Sequence, residues 1–322
     1  MFEEVNRVAT VELQHAGMRL DQCLAELFPE YSRTRLKEWV VSGQVTVDGV
    51  LVTTPRTKLI GTEQVELHAK IEVEQDHQPQ EIALDIVYED DDILVINKPT
   101  NLVVHPGAGN QDGTILNALL HHVPDIAVVP RAGIVHRLDK DTTGLMVVAK
   151  NVPAHTHLVA RLQAREISRE YEAIVVGAMV AGGTVDKPIG RHSTKRTLMS
   201  VKEMGKEAIT HYRVVEKFRE HTHLRLKLET GRTHQIRVHM SYIHHPLVGD
   251  PQYGSRLKLP KGASEELVRE LQTFKRQALH AIQLGLHHPV TGEWLSWHAP
   301  LPADFVQLKE ALKADSVGHH EW

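Results

Sequence analysis

The densest group of reactive side chains lies in residues 136–144, which read His-Arg-Leu-Asp-Lys-Asp-Thr-Thr-Gly. This segment separates two short apolar runs, residues 133–135 and 145–149, that are typical of strands. A tight turn would suffice to join such strands, so a loop rich in carboxylates, cations and hydroxyls indicates a functional site. The alternative is a structural loop built on Asx turns and ended by a glycine.

The carboxylates of this loop allow two kinds of chemistry. Asp139 alone could act as a nucleophile or as a base, and Asp139 with Asp141 could form the acid–base pair of a glycoside hydrolase. The chain has no P-loop, no dinucleotide-binding glycine fingerprint and no Cys/His set with zinc-ligand spacing, and its 23 histidines are dispersed. Cys23 is the single cysteine, so an intramolecular disulfide is excluded and a reducing compartment is favoured.

Charge is unevenly distributed along the 322 residues, although the formal net charge is only −4. Residues 71–92 contain nine Asp and Glu and no Lys or Arg, whereas residues 186–237 contain thirteen Lys and Arg against six Asp and Glu. A phosphate backbone responds to a local basic surface, so the second segment permits RNA binding in spite of the acidic total. The alternative is a set of scattered, solvated charges.

The acidic stretch also predicts a domain boundary, because it is polar, contains Pro79 and lacks apolar periodicity. We expect a small N-terminal domain over residues 17–75, an acidic linker and domain entry over residues 76–92, and a large domain over residues 93–322. The longest apolar runs are far shorter than the ~20 residues of a membrane span. The first residues lack the pattern of a signal peptide, so we expect a cytoplasmic protein.

The N-terminal part predicts two short helices followed by a hairpin. Leu20, Cys23 and Leu24 have helical spacing, Ser32 predicts the N-cap of the second helix, and Asp48 opens an Asp-Gly turn. This arrangement resembles the S4 RNA-binding domain, in which a rigid helical unit presents cations to phosphates. The expected phosphate contacts on the second helix are Arg33, Arg35 and Lys37. An ordinary α/β unit with a charged helix face is the alternative.

The larger part mixes strands and helices, which predicts an α+β fold with a mixed, largely antiparallel sheet. Apolar or alternating runs predict strands over residues 92–97, 170–176 and 223–228, the last of them half-exposed. Asn151 predicts the start of a helix whose Arg161 and Arg165 face outward, and the spacing around Leu308 predicts a C-terminal helix.

Several motifs, in order along nearly the whole chain, resemble the RluA family of pseudouridine synthases. The motif at the reactive loop is Gly-Ile-Val-His-Arg-Leu-Asp-Lys-Asp-Thr-Thr-Gly-Leu over residues 133–145. The others are Ile-Asn-Lys-Pro at 96–99, Val-His-Pro at 104–106, Arg-Glu-Tyr-Glu-Ala at 169–173, Leu-Glu-Thr-Gly-Arg-Thr-His-Gln-Ile-Arg-Val-His at 228–239, Gly-Asp-Pro-Gln-Tyr-Gly at 249–254 and Arg-Gln-Ala-Leu-His-Ala at 276–281.

The resemblance assigns roles to residues of these motifs. It makes Asp139 the essential carboxylate, as nucleophile or as base at the ribose, and suggests Arg232 as the cation that keeps it charged and aimed. Gly231 would allow a sharp backbone turn just before that arginine. Tyr171 matches the tyrosine that stacks on uracil and assists proton removal from C5. Leu279 matches the apolar wall of the base pocket.

Uridine in folded RNA must be flipped out to reach such a pocket. Arg137 is suited to fill the vacated space, since guanidinium groups stack on bases, and His136 is assigned to the same flipping and base-pocket group. The other phosphate contacts that we expect in the large domain are Lys187, Arg191, Lys195, Arg196, Arg213 and Arg225.

The resemblance therefore implies the pseudouridine synthase fold and a cofactor-independent enzyme with no metal. It implies 23S rRNA as the partner, at the helix 69 stem-loop, either as free rRNA or within the 50S subunit or its precursor, and a part in large-subunit maturation. No membrane and no obligate protein partner are inferred. Two rivals remain open, a non-catalytic RNA-binding or ribosome-assembly factor with the same fold and a glycoside hydrolase.

Overall fold

A computed structural model describes residues 2–72, 77–107, 109–195 and 197–318. The chain divides into two compact units, Met1–Gln78 and Pro79–Trp322. This division falls inside the segment 76–92 that the sequence analysis assigns to the linker, and β5 (Ile86–Glu89) lies in that segment as well. Residues 73–75, at the end of the predicted N-terminal domain, and residue 76 of the predicted linker lie outside the described residues.

The first unit is a four-stranded antiparallel sheet covered by two helices. In spatial order its strands are β1 (Phe2–Thr10), β4 (Gln64–Glu72), β2 (Val45–Val47) and β3 (Val50–Leu51), and its helices are α1 (Leu20–Leu27) and α2 (Arg33–Val41). Leu24, Leu36 and Val40 are fully buried between helices and sheet, as their helical spacing predicts. Ser32 caps α2 by accepting a hydrogen bond from the Arg35 amide.

β1 is absent from the sequence prediction, which begins the domain at residue 17. It pairs with β4 along nine residues, from Phe2 opposite Glu72 to Thr10 opposite Gln64. Its side chains alternate poorly between apolar and polar, so its strand conformation depends on backbone pairing with β4, a partner more than 50 residues away.

The second unit is built on a nine-stranded sheet. Its strands run in the order β5-β6-β7-β14-β8-β13-β12-β9, and β15 also pairs with β14. Within the described residues all its pairings are antiparallel except β7 with β14, so the predicted α+β class with a mixed, largely antiparallel sheet is confirmed. The other strands of this sheet are β6 (Ile93–Lys98), β7 (Thr143–Ala149), β8 (Ser168–Val176), β9 (Gly183–Asp186), β12 (Ile209–Lys217), β13 (His221–Leu228), β14 (Leu279–His287) and β15 (Trp294–His298). A separate two-stranded sheet consists of β10 (Ile189–Arg191) and β11 (Met199–Val201).

Helices cover both faces of this sheet. They are α3 (Ile115–His122), α4 (Val152–Gln163), α5 (Gln235–Tyr242), α6 (Glu265–Thr273) and α7 (Ala303–Gly318). Alternation along β8 separates two cores: Tyr171 and Ala173 join a cluster with Ile236 of α5, whereas Ile174 packs with residues of α6 and α7, such as Phe305. The reactive loop, residues 136–142, enters the sheet directly before β7, on the edge of the first of these cores.

Two predicted strand features are wrong. Residues 133–135 do not form a strand. Gly133 is the last residue of a 3₁₀ turn, Pro130–Gly133, and of the two residues that follow only Ile134 makes an isolated β-bridge, to Val148. Strand β13 is nearly fully buried and not half-exposed. Its polar face is covered, because His223 packs against Phe305 of α7 with ring centroids 6.0 Å apart and Arg225 is held in ion pairs.

Candidate active site

The reactive loop lines a cleft of about 1180 Å³, together with residues from β8, from the start of α5 and from the loop before β14. Close approach of β7 and β14 places the loop there. Gly144 has φ +115°, and a Cβ at this position would come within 2.2 Å of the Ala281 carbonyl oxygen. The two strands can therefore pair only because residue 144 has no side chain.

Hydrogen bonds from buried side chains fix the backbone of the loop. Lys98 is 1% exposed, and its Nζ donates to the carbonyls of Pro99, Leu102 and Lys140 at 2.7, 2.9 and 2.8 Å. Burial lowers the pKa of Lys98 to about 7. This ammonium ties the loop to the segment that follows β6, so the residue next to Asp139 has a defined backbone position.

Asp139 is bound by an arginine, but the arginine is Arg237 and not Arg232. Arg237 Nη1 donates to Asp139 Oδ2 at 2.9 Å, and the same guanidinium forms a two-point bond with Asp250 at 2.8 and 2.9 Å. Burial alone would lower the pKa of Arg237, but its bonds to Asp250 and the charge of Asp139 outweigh burial and raise it. Asp139 is thus paired with a permanent cation that Asp250 holds in place.

The predicted role of Arg232 as the ion-pair partner of Asp139 is therefore wrong. Arg232 lines the same cleft, but its Nε donates to the backbone carbonyl of Glu207 at 2.8 Å. It precedes α5, whereas Arg237 lies in the first turns of that helix and is directed into the core, 4% exposed. The signal that could have found Arg237 is its position between Ile236 and Val238 in an apolar stretch, since a buried arginine requires carboxylates.

The prediction that Gly231 makes a sharp backbone turn is also wrong. Gly231 has no left-handed φ, and a Cβ there would instead lie 2.5 Å from Nη1 of Arg169. The missing side chain makes room for another arginine in the cleft wall.

Tyr171 and Leu279, the residues of the predicted base pocket, both line the cleft and belong to one apolar cluster with Leu138. Tyr171 is 6% exposed. Burial raises the pKa of its phenol, the charge of Arg169 lowers that pKa, and the charge of Asp139 raises it; burial is the largest effect, so the pKa is raised overall. The side chain is therefore a neutral phenol at neutral pH, able to pack against a planar ring and to donate one hydrogen bond.

His234 is a further neighbour of Asp139, which the sequence analysis does not single out. Its Nε2 lies 3.8 Å from Asp139 Oδ1, and its Nδ1 lies 2.7 Å from the Tyr253 hydroxyl. That hydroxyl also accepts a hydrogen bond from the Met199 amide, so Tyr253 ties the imidazole to β11 and leaves Nε2 on the side of Asp139. His234 has φ +56°, an uncommon backbone conformation that directs the ring into the cleft.

His136 and Arg137 differ in how they are used. His136 Nε2 accepts a hydrogen bond from the Val147 amide at 2.9 Å, and burial lowers its pKa to about 3, so it is a neutral ring that anchors the loop to β7. Arg137 is exposed at the cleft, which is compatible with the predicted flipping role. Asp141 Oδ1 accepts hydrogen bonds from the Asn101 amide at 3.1 Å and from the Thr100 hydroxyl at 3.4 Å, so this side chain ties the loop to the segment that follows β6.

The residues predicted to contact phosphate differ in whether their side chains are accessible. Most of them are exposed side chains: Arg33, Arg35 and Lys37 on α2, and Lys187, Arg191, Lys195 and Arg213 in the second unit. Arg225 is not available, because its guanidinium is bound by Glu170, Glu172 and Gln283. Arg213 is opposite Arg225 in the β12–β13 register, hence on the face of the sheet away from Tyr171. Arg196 lies outside the described residues.

In the described part of the chain, none of the helices is both long enough and apolar enough to cross a membrane.

Comparison with known proteins gives two family matches. Residues 92–242 match the model of the RNA pseudouridylate synthase family, and residues 18–65 match the model of the S4 domain.

Curated relatives match over the full chain. Ribosomal large subunit pseudouridine synthase D of Vibrio parahaemolyticus is 63% identical over 316 residues, which is 98% of this chain and 97% of that one. The protein with the same name in Escherichia coli strain K12 is 62% identical over 321 residues, 100% and 98% of the two chains.

Solved structures agree with these matches. The human RNA pseudouridylate synthase domain containing 4 superimposes with a TM-score of 0.56 at 28% identity, covering 71% of this chain and 92% of that one. The human RNA pseudouridylate synthase domain containing 1 gives a TM-score of 0.52 at 28% identity, covering 72% and 95%.

Proposed function

Because the chain belongs to the RNA pseudouridylate synthase family and carries an S4 domain, we propose that it isomerises uridines of large-subunit rRNA in the cytoplasm. We further propose that the target is the helix 69 stem-loop of 23S rRNA, free or within the 50S subunit or its precursor, and that the modification supports maturation of that subunit. The names of the relatives support the large-subunit substrate.

One observation carries the catalytic part of this proposal: Asp139 is held by Arg237 in a cleft that Tyr171 and Leu279 also line. An ionised carboxylate at this position would act at the ribose, either as a nucleophile at C1′ or as a base. The guanidinium of Arg237 would keep the carboxylate ionised and oriented while the base covers it. Tyr171 would pack against the uracil, and Leu279 would add to the apolar wall of the same pocket.

The reaction is an isomerisation, so its atoms balance without a co-reactant. The C1′–N1 bond breaks, and its electron pair stays with the base. The base turns, C1′ bonds to C5, and the proton that leaves C5 is balanced by the one that N1 gains. We propose that the neutral Tyr171 hydroxyl, which lines the cleft, assists the C5 proton transfer.

The exposed cations suggest how the RNA would be held. Arg137 would occupy the space that the flipped uridine leaves in the RNA stack. The cations of α2 in the S4 unit would bind phosphates and would not read sequence. Their exposure supports this proposal, although Arg33 also contacts Asp21 at 3.1 Å.

Release of tritium from RNA that carries 5-tritiated uridine tests the proposed activity. We expect release by the wild-type protein on large-subunit rRNA, no release by Asp139→Asn, and normal release by the control Asp125→Asn, an exposed aspartate in a 3₁₀ turn. Release by Asp139→Asn would refute the assignment of the catalytic carboxylate. Absence of release by the wild type from any RNA would favour the non-catalytic RNA-binding alternative.

Site mapping tests the proposed target separately. Pseudouridines of 23S rRNA are mapped in cells that lack the gene and in cells complemented with the wild type or with Asp139→Asn. Loss of pseudouridine from helix 69, restored only by the wild type, is the expected result. An unchanged helix 69 with losses elsewhere would overturn the proposed site and leave the activity in place.

A further inference from the structure

The wall of the cleft contains a buried guanidinium that the proposed mechanism does not use. Arg169 lies two residues before Tyr171 on β8, lines the cleft and is only 7% exposed. Its Nε is buried and has no hydrogen-bond partner, and its Nη2 makes only a long contact of 3.5 Å with the Glu229 carbonyl. Among the described residues, no carboxylate forms an ion pair with it.

The surroundings of Arg169 do not neutralise its charge. The carboxylates of Glu207 and Glu229 lie on the same side of the cleft, but both are bound by Arg165. Arg232 is a second nearby cation, and burial together with its charge lowers the pKa of Arg169. A buried cation without a counter-charge is unfavourable, so the arrangement favours a ligand that brings a hydrogen-bond acceptor.

The position of Arg169 relative to Asp139 indicates which part of a bound nucleotide would supply that acceptor. Arg169 and Tyr171 are two residues apart on β8, so their side chains project from the same face of the sheet, and both line the cleft with Asp139. If Asp139 acts at the ribose and Tyr171 packs against the base, Arg169 is placed next to the base. Arg169 is also as deeply buried as Tyr171, whereas the phosphates of a polymer remain near the mouth of a cleft that receives a flipped nucleotide.

We propose that Arg169 donates hydrogen bonds to a carbonyl oxygen of the extruded uracil and stabilises the negative charge that this oxygen acquires as the glycosidic bond breaks. The proposal rests on the pseudouridine synthase activity of the chain. When the C1′–N1 electron pair moves to the base, the charge spreads over O2 and O4. A fixed guanidinium in a site shielded from water stabilises such charge more in the transition state than in the neutral ground state.

Single-turnover kinetics at saturating enzyme test this role. We expect Arg169→Gln to lower the rate about 100-fold, the effect of removing one donor that stabilises a developing anion, with the Kd for RNA and its salt dependence unchanged. Arg169→Lys should recover part of the rate. The control Arg161→Gln removes an exposed arginine of α4 that forms an ion pair with Glu166, and it should leave the rate unchanged.

RNA with 5-fluorouridine at the target separates charge stabilisation from positioning. Fluorine stabilises the departing base anion, so cleavage should depend less on Arg169. The ratio of wild-type to Arg169→Gln rates, followed as consumption of the target nucleotide, should be several-fold smaller than with uridine. An equal ratio would overturn the proposal. A weaker Kd with a smaller salt slope would also overturn it, because Arg169 would then bind a phosphate.

Gly231→Ala provides a second variant if Arg169→Gln does not fold. Its Cβ would meet Nη1 of Arg169 at 2.5 Å and displace the guanidinium while the charge is kept. A lower single-turnover rate, again partly relieved by 5-fluorouridine, is expected. An unchanged rate would contradict a role for the position of Arg169. Tritium release by the wild type in the same assay distinguishes this failure from failure of the proposed function.

Discussion

The pairing of Asp139 with Arg237 makes a prediction that two matched variants can decide. Arg237→Met and Arg232→Met remove the same group from residues that line the same cleft. Only Arg237 contacts Asp139, whereas the Nε of Arg232 is bound to a backbone carbonyl. If the ion pair orients the carboxylate during catalysis, the two variants must differ strongly in rate.

The size of the effect follows from the contact. A hydrogen bond to a charged group contributes about 1.5–3 kcal/mol, and each 1.36 kcal/mol changes a rate tenfold. Arg237→Met should therefore lower the single-turnover rate roughly 10- to 150-fold. Arg232→Met removes a bond from a half-exposed side chain, which is worth about 0.5 kcal/mol, so its rate should fall about threefold or less.

Stability must be measured alongside activity, because Arg237 also neutralises the buried Asp250. Removing one partner of a buried ion pair costs about 3–5 kcal/mol, so Arg237→Met will unfold at a lower temperature than the wild type. Arg237→Lys keeps the charge and loses the two-point geometry, and it should be intermediate in both measurements. Equal losses of rate in Arg237→Met and Arg232→Met, or a wild-type rate in folded Arg237→Met, would refute the reasoning.

Three further predictions concern the support of the site. Gly144→Ala should destabilise the protein by at least about 3 kcal/mol in denaturant unfolding, because its Cβ would meet the Ala281 carbonyl oxygen at 2.2 Å. The control Gly292→Ala, with φ +70° and open space around its Cβ, should lose only about 1–2 kcal/mol. Equal losses in the two variants would contradict the steric argument. Burial lowers the pKa of His280 from 6.5 to about 4, so its contribution to stability is complete above pH 6.5 and is lost as the pH falls toward 4. Across this range the free energy of unfolding of His280→Gln should change less than that of the wild type, by on the order of 1–3 kcal/mol. Identical pH slopes for the two proteins would contradict this prediction. Lys98→Met leaves three backbone carbonyls without their donor, so the free energy of unfolding should fall by about 3 kcal/mol or more and the folded variant should have a lower catalytic rate. A variant with wild-type stability and rate would show that the loop does not need this side chain.

The sequence predicts the local features of this protein well. Apolar spacing finds α1 and α2, and Ser32 marks the start of α2, because caps and amphipathic periodicity depend on neighbouring residues. The loop around Asp139 and its position before an apolar strand are also evident from residue types alone. The motifs then identify the family, which the comparisons confirm.

Long-range pairing accounts for the features that the sequence analysis missed. The partner of Asp139 comes from a helix 98 residues further along the chain, and two arginines of the same motif were equally suitable in charge. Only the start of α5 after His234 directs Arg237 inward and leaves Arg232 at the cleft surface. The sequence analysis predicts that Arg225 contacts phosphate, but its face of β13 is covered, and Glu170 and Glu172 bind it there.

The sequence by itself therefore determined which groups could react and which short segments form helices and strands, since both depend on residue type and on near neighbours. Among the described residues, tertiary structure decided which cation meets Asp139, which arginines are exposed to solvent, and which one, Arg169, is buried without an ion pair. Those outcomes depend on strand register and helix orientation between segments far apart in the chain, and no local pattern of residues encodes them.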